Sequence, residues 1–367
     1  MKIAIIGTRG LPARYGGFET LAARLGAGLA KDGHEVTVYG RTGYGQPARA
    51  SIAPHLRALR MPCLSWRGAE TISAGWAAAL HAGLIERPDA ALVCNPANVW
   101  SARALQMLGI PVLLHLDGLE HARAKWQGAG SRVHAAAMRS AARSPLRLLT
   151  DSQAIALWYQ EHLAASPAVI AYGCEAPQAD AARLQAQGLL PRGYDLIVAR
   201  MEPENHVLEM VRAHATSGSE VPLVLVGAAR GDTEYARRVE AAAAAHPRLL
   251  RLGAVWEDAL LDALWAGARC YLHGHSVGGT NPALLSGAAS GAEVLAHRNP
   301  FNAEVLGEQG WHWGDADDLT ALLQEKPWQS TPKAAALSAR TQARYRWPQV
   351  VAAYEALFAE LAPSASH

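Results

Sequence analysis

Apolar runs of four or five residues recur along the chain, each followed by a longer stretch whose apolar positions repeat every three or four residues. The short runs predict strands and the long stretches predict helices, so their alternation predicts βα units around parallel sheets. In the first half strands are expected over Lys2 to Ile6, Glu35 to Tyr39, Ala90 to Val93, Pro111 to His115, Leu146 to Leu149 and Ala168 to Ile170. Between the first two, Phe18, Leu21, Ala22, Leu25 and Leu29 share one face of a helix from about Gly17 to Lys31, which Gly33 ends. The pattern resumes over Leu196 to Ala199, Leu223 to Val226, Leu249 to Leu252, Cys270 to His273 and Val294 to His297. The region from Gly173 to Arg192, punctuated by Pro177 and Pro191 and without an apolar strand, reads as a linker. The expectation is an α/β chain of two doubly wound domains facing across a cleft, residues 1–175 and 190–340. Ligands of such sheets bind at the carboxyl ends of the strands. A last helical pattern, Pro348 to Leu361, carries Val351, Tyr354, Leu357, Phe358 and Leu361 on one face.

Length agrees with two domains, because 367 residues exceed what one hydrophobic core usually serves. With 50% hydrophobic and 18% charged residues, and glycine and proline scattered, the composition excludes disordered, collagenous and low-complexity classes. No run approaches a membrane span and the first apolar run is too short for a signal peptide, so the chain is expected in the cytoplasm. Cys63, Cys94, Cys174 and Cys270 are far apart and no histidines cluster at ligand spacing, so reduced thiols and no metal site are expected. The net charge of +2 conceals +7 on residues 1–175 and −5 on the remainder. The basic half either meets an anionic membrane or polyanion or reflects arginine-rich composition alone. Arg132, Arg139 and Arg143, at spacings of seven and four, would share a helix face, with Val133, Ala136, Ala137 and Ala141 on an apolar side.

Four segments carry candidate chemistry. The first βα turn runs from Gly7 to Glu19, departs from G-x-G-x-x-G, and is followed by a second strand ending Tyr39-Gly40-Arg41 with no acid for a ribose, so an NAD site is not expected. Its Gly16-Gly17 pair stands at a helix start, either cradling an anion or serving as punctuation. In the second half, His273-Gly274-His275-Ser276-Val277-Gly278-Gly279-Thr280-Asn281-Pro282 joins a strand to a helix, with Asn281 as N-cap and Pro282 at the first helical position. Gly278, Gly279 and Thr280 either approach a pyrophosphate through their amides or form a tight loop. Arg200 follows a strand and begins Arg200-Met201-Glu202-Pro203-Glu204-Asn205, either reaching a phosphate or pairing with Glu202 or Glu204 on the surface. Last, His115-Leu116-Asp117-Gly118-Leu119-Glu120-His121 either bonds sugar hydroxyls, serves acid–base chemistry, or is an ordinary satisfied loop.

Taken in order, these segments, with Gly33-His34-Glu35-Val36, Lys125-Trp126 and Asp151-Ser152, resemble the family 4 glycosyltransferases of GT-B type over nearly the whole chain, and more narrowly a bacterial rhamnosyltransferase-like subgroup. The resemblance implies a nucleoside-diphosphate sugar as donor substrate, with no other cofactor and no metal, held mainly by the second domain. It also implies a glycan or lipid-linked acceptor held mainly by the first, and no nucleic-acid partner. A terminal helix, residues 343–362, would cross back to complete the first domain. Transfer would retain anomeric configuration, with the leaving phosphate taking the acceptor's proton. Arg200 would clamp the diphosphate and His115 meet the donor sugar. Gly16, Gly17, Asn205, Gly278, Gly279, Thr280, Asn281 and Ser286 fall at donor positions, and Arg14, Tyr15, Glu19, Asp117 and Glu120 at acceptor positions. Rhamnose as the sugar follows from the subgroup alone. Three departures fall on the donor half. Asn205 stands where the broad family has Lys, Ser286 where it has a Glu that binds the nucleotide ribose, and Glu293 where it has proline. Ser286 keeps open the alternative of a catalytically weak or inactive subunit that binds a partner or glycan. Another kind of GT-B enzyme, an epimerase or phosphorylase, fits the motif series less well.

Overall fold

A computed structural model describes residues 1–12, 16–45, 47–65, 69–116, 129–229 and 231–361. The chain divides into two compact units, Met1–Gly173 with Trp347–His367, and Cys174–Arg346.

The first unit is built on one sheet of β1 (Lys2–Ile6), β2 (Glu35–Arg41), β3 (Arg49–Ala53), β4 (Leu56–Met61), β5 (Ala90–Cys94), β6 (Val112–His115), β7 (Arg147–Thr150) and β8 (Ala168–Val169), in the order β3-β4-β2-β1-β5-β6-β7-β8. All neighbours are parallel except β3 and β4. The central strands are buried on both faces, which is why they read as unbroken apolar runs: every residue of β5 is buried. Strands β3 and β4 are absent from the sequence expectation because their apolar alternation is broken. β3 lies mostly in solvent, and Arg57 of β4 is drawn aside to Thr37 and Glu86. The helices are α1 (Gly17–Lys31), α2 (Ala69–His81), α3 (Val99–Met107), α4 (Ala129–Ala142) and α5 (Gln153–Leu163).

The second unit opens with α6 (Ala181–Ala186) and holds α7 (Val207–Thr216), α8 (Glu234–Ala245), α9 (Asp258–Gly267), α10 (Pro282–Ala289), α11 (Pro300–Leu306), α12 (Ala316–Glu325) and α13 (Ala334–Arg344). Its sheet is all parallel, with β9 (Asp195–Val198), β10 (Leu223–Val226), β11 (Leu249–Gly253), β12 (Cys270–His273), β13 (Glu293–His297) and β14 (Trp311–Trp313) in the order β11-β10-β9-β12-β13-β14. The chain then returns to the first unit as α14 (Trp347–Leu361). Its Val351, Tyr354, Leu357 and Phe358 are buried, and α1 accepts it at Gly28, where a Cβ would overlap the Val351 side chain. His34 Nε2 lies 3.0 Å from Glu355 Oε1 beside this seam.

Two expectations differ from this arrangement. The region expected as a linker, Gly173 to Arg192, is packed into the second unit beyond Gly173. Leu184 of α6 is 1% exposed against α9, and Arg192 donates to the carbonyls of Ala268 and Gly291 at 2.7 Å each. Small residues and prolines there mark close packing. On α4, Ala137, Met138 and Ala141 are buried, whereas Val133 and Ala136 share the exposed face with Arg132, Arg139 and Arg143.

The amino-terminal edge of the second sheet is held by buried charge. Asp195, at the start of β9, is fully buried and receives Arg269 Nε at 2.9 Å and Nη2 at 2.6 Å. The Arg248 N–H donates to His246 Nδ1, so His246 carries its proton on Nε2 and donates to His214 Nδ1 at 3.0 Å. That leaves His214 Nε2–H facing Asp195 Oδ2 at 3.3 Å. Burial alone would raise the Asp195 carboxyl, but the hydrogen bonds of His214 and Arg269 outweigh it and hold it below its ordinary value. Burial, and next the neighbouring His214, lower His246. Both groups therefore bind fewer protons folded than unfolded, and both contribute stability that is lost as pH falls. The thermal midpoint is expected to drop below the ordinary histidine value of 6.5 and again below the ordinary carboxyl value of 3.8. Asp195→Asn should cost about 3–5 kcal/mol by leaving Arg269 without its counter-ion. Denaturant titration at neutral pH checks it, and a loss below 1 kcal/mol would mean that the network is not load-carrying.

Candidate functional site

In each sheet the strand order reverses beside the first strand, between β1 and β5 and between β9 and β12. Loops leaving the carboxyl ends of such neighbours diverge and leave a crevice, the usual ligand position in open α/β sheets. In the second unit the loops at that point are the Arg200 and His273 segments. Arg200 lies two residues beyond β9 and is half-buried. Its carbonyl accepts Asn205 Nδ2 at 2.9 Å and the Glu202 N–H at 2.8 Å. Asn205 is 1% exposed, so its amide braces the turn that carries Arg200. Glu204 is buried and its carboxylate has no hydrogen-bond partner among the described residues. The Glu204 carbonyl instead accepts the N–H and hydroxyl of Ser276, at 2.9 and 3.1 Å. Gly274 completes the contact, since a Cβ there would overlap the Asn205 carbonyl. The two segments noted separately in the sequence are thus fastened to each other.

Beyond Ser276, Gly278 has φ +147°, a conformation open to glycine, and Thr280 is buried. Asn281 caps α10 by accepting the Ala283 N–H at 2.9 Å, with Pro282 next. Ser286 lies four residues past Pro282, about 6 Å along the helix axis, on its half-buried face. Glu293 does not stand in for the acid missing at 286. It begins β13, at the opposite end of the strand from His297, and its carboxylate accepts Trp311 Nε1 at 2.9 Å and the N–H groups of Lys333 and Ala334 at 3.0 and 3.1 Å. It therefore joins β14 and the start of α13 to the sheet.

Histidines gather at the carboxyl end of the second sheet, where His206 and His297, not singled out in the sequence, join His273 and His275 of the segment already noted. His206, just after Asn205, stacks on His297 at the end of β13 with ring centroids 4.7 Å apart, and His273 stacks on His275 at 4.6 Å. Asn302 donates to the carbonyls of both His275 and His297. Burial pulls His273 down to about 3 and also lowers His297. The position of His297 at a strand's carboxyl end was the one signal available.

In the first unit, Gly7 follows β1 with φ +93°, and a Cβ there would overlap the Cys94 carbonyl of β5. Gly16 precedes α1 in extended backbone and accepts the Thr20 N–H at 3.1 Å, and Gly17 opens α1 beneath Tyr172. Glu19 is 4% exposed and spends its carboxylate on Arg9, on the backbone N–H at 2.9 Å and Nη1 at 3.5 Å. It braces the turn, so any acceptor contact would compete with Arg9. His115 ends β6, is fully buried, and meets Phe18 edge-on at 5.2 Å. Neither ring nitrogen has a partner among the described residues, and burial pulls its pKa to about 3. His115 is therefore neutral at physiological pH, a hydrogen-bonding group and a poor proton acceptor. Arg14, Tyr15, Asp117 and Glu120 lie outside the described residues. Among those described, no cluster of side chains is set to hold a metal and no helix is long and apolar enough to cross a membrane.

Residues 15–173 match the model of Glycosyltransferase Family 4. No curated protein matches the chain. Among solved structures, the chain is similar to sucrose-phosphate synthase from Thermosynechococcus elongatus, at 18% identity over 98% of both chains with a TM-score of 0.81. It is similar to HepE from Anabaena in complex with UDP, at 16% identity over 98% of this chain and 100% of that one with a TM-score of 0.76. An α,α-trehalose-phosphate synthase from Burkholderia vietnamiensis is similar at 12% identity, 98% and 100% coverage and a TM-score of 0.71. These likenesses show the GT-B fold of two Rossmann-like domains, and the family match falls within the first unit.

The geometry separates the ligand edge of the second sheet from its anchoring edge. Glu293→Ala is expected to cost about 2–4 kcal/mol of stability through lost bonds to a buried carboxylate, while leaving nucleotide affinity unchanged at a temperature where the variant is folded. Calorimetry and a nucleotide titration on the same sample check both halves.

Proposed function

We propose that the protein is a retaining glycosyltransferase that moves a sugar from a nucleoside diphosphate to a glycan or lipid-linked glycan acceptor in bacterial polysaccharide assembly, working in the cytoplasm without a metal ion. The observation that carries this reading is the fastening of the Arg200 turn to the His273 to Asn281 loop at the switch point of the second sheet. A permanently charged guanidinium and the amides ahead of a capped helix form the positive complement that a diphosphate needs. The complexes of HepE with UDP and with UDP-glucose support this use of the shared fold. Neutral His115 would bond the donor sugar, and the leaving phosphate would accept the acceptor's proton. Gly16 would add a backbone donor to the diphosphate, and Arg14, Tyr15, Asp117 and Glu120 would meet the acceptor. Rhamnose is the sugar favoured by the subgroup resemblance.

A nucleoside diphosphate is expected to bind equally with and without chelator, and Arg200→Ala to weaken it by about 1.5–3 kcal/mol, the scale of a hydrogen bond to a charged group. Strict dependence on magnesium or manganese would sink the metal-free reading, and unchanged affinity in the folded variant would remove Arg200 from the site.

Ser286 favours a second reading, a subunit that binds without turnover. A serine in place of the carboxylate loses charge-assisted acceptance of ribose hydroxyls, and Glu293 is occupied elsewhere. Ser286→Glu should tighten nucleotide binding about tenfold or more if the pocket is otherwise intact. Weaker binding would indicate a pocket rebuilt around serine, and no binding by either form would favour the non-catalytic reading.

A peripheral contact with the inner face of the membrane completes the proposal. The exposed face of α4 carries Arg132, Arg139 and Arg143 beside Val133, and α2 with the turn after it exposes Trp76, Leu80, Leu84 and Ile85. Each basic residue near an anionic surface contributes about 1 kcal/mol. At low salt, co-sedimentation should be stronger with anionic than with neutral vesicles, and equal recovery would remove this contact.

A further inference from the structure

The carboxyl end of β2 carries charge that donor binding leaves unused. Arg41, the last residue of β2, is 6% exposed. Its Nη1 donates to Thr71 Oγ1 at 2.8 Å, and its buried Nε has no hydrogen-bond partner among the described residues. A second guanidinium shares its surroundings: Arg41 Cζ lies 5.3 Å and Arg9 Cζ 5.5 Å from the centroid of the Tyr44 ring. The acids nearby are engaged by others, Glu19 by Arg9 and Glu70 by the Tyr44 hydroxyl at 3.2 Å. No carboxylate of the described residues lies within ion-pair distance of Arg41.

A guanidinium taken out of water needs a counter-charge, and a like charge beside it increases that need. An aromatic face and one hydroxyl compensate only in part. In keeping with this, burial and next the Arg9 charge lower Arg41 from its ordinary value. The missing partner is an anion, and the planar fork of a guanidinium matches carboxylate and phosphate oxygens. Arg41 lies beside the Gly7-Thr8 turn of β1 at the carboxyl end of the sheet, one strand from the switch point between β1 and β5.

We propose that Arg41, assisted by Arg9, forms an anion subsite in the first unit that takes a phosphate or carboxylate carried by the acceptor. The assignment to the acceptor rests on the reading of this unit as the acceptor half; the anion chemistry rests on Arg41 itself. The subsite would make the enzyme select charged over neutral acceptors, because a neutral sugar leaves the Arg41 charge buried and unpaired.

The test uses the full chain and isothermal titration with glucose, glucose 6-phosphate, glucuronate, farnesyl diphosphate and inorganic phosphate, the second unit being saturated with nucleoside diphosphate where one binds. At least one anionic probe should bind the wild type, and Arg41→Met should weaken it about tenfold or more, the scale of one lost charge-assisted pair. Arg41→Lys, which keeps the charge and loses the fork, should lie between the two, and Arg200→Ala should leave the subsite unchanged. Tighter binding of glucose 6-phosphate or glucuronate would assign the anion to the acceptor sugar, and tighter binding of farnesyl diphosphate to a lipid carrier. Glucose binding as well as every anion, equal binding by folded Arg41→Met, or loss in Arg200→Ala instead would each overturn the proposal. A wild type that binds the anion through Arg41 but binds no nucleotide would leave the subsite standing and refute the donor reading.

Discussion

The ligand edge of the second unit depends on one close approach, the backbone of Gly274 against the Asn205 carbonyl. Any side chain at 274 would overlap that oxygen, so the loop after β12 and the turn after β9 could not share the crevice between their strands. Once they meet, Ser276 bonds the Glu204 carbonyl and Asn205 bonds Arg200, and the guanidinium is carried on a turn tied at both ends. Gly227 repeats the device one strand away, against the Ala199 carbonyl. Positioning of this kind holds binding groups before the ligand arrives, so ordering them costs little affinity.

The same sheet divides its work between its two edges. At the amino edge, Asp195 with Arg269 and the two histidines, and Glu293 with Trp311 and the start of α13, use buried carboxylates to fasten helices and strands. At the carboxyl edge, His273 Nε2 and the Glu204 carboxylate have no hydrogen-bond partner among the described residues. In the first unit Glu19 is committed to Arg9, while both ring nitrogens of His115 and Nε of Arg41 have no hydrogen-bond partner among the described residues. An unpartnered buried polar atom carries a cost in the free protein, which a ligand bonding to it would offset.

Much of the architecture was legible in the sequence because strands buried on both faces must be apolar throughout. The runs at Lys2–Ile6, Leu223–Val226 and Cys270–His273 and the helix Gly17–Lys31 are found at the residues expected. The elements that escaped notice are those whose stabilisation is not a local apolar pattern. β4 alternates with arginines that find partners on other elements, and the short β14 is defined by what Trp311 and Trp313 meet across the sheet.

For the candidate site, the sequence by itself singled out the loops at the carboxyl ends of the strands, since glycine pairs, an N-cap with proline behind it and a charged residue just after an apolar run are local signals. Which of those residues are already committed to bracing the fold was decided only by the tertiary structure. Glu293, seven residues after Ser286 in sequence, is a strand length away from the carboxyl end of β13, and Glu19 is consumed by an arginine ten residues before it. His206 and His297 form a pair although ninety residues separate them, because parallel strands bring their carboxyl ends to one side whatever their spacing in the chain. Whether a polar side chain has a partner depends on packing at that distance, and a sequence pattern spanning a few residues carries no information about it.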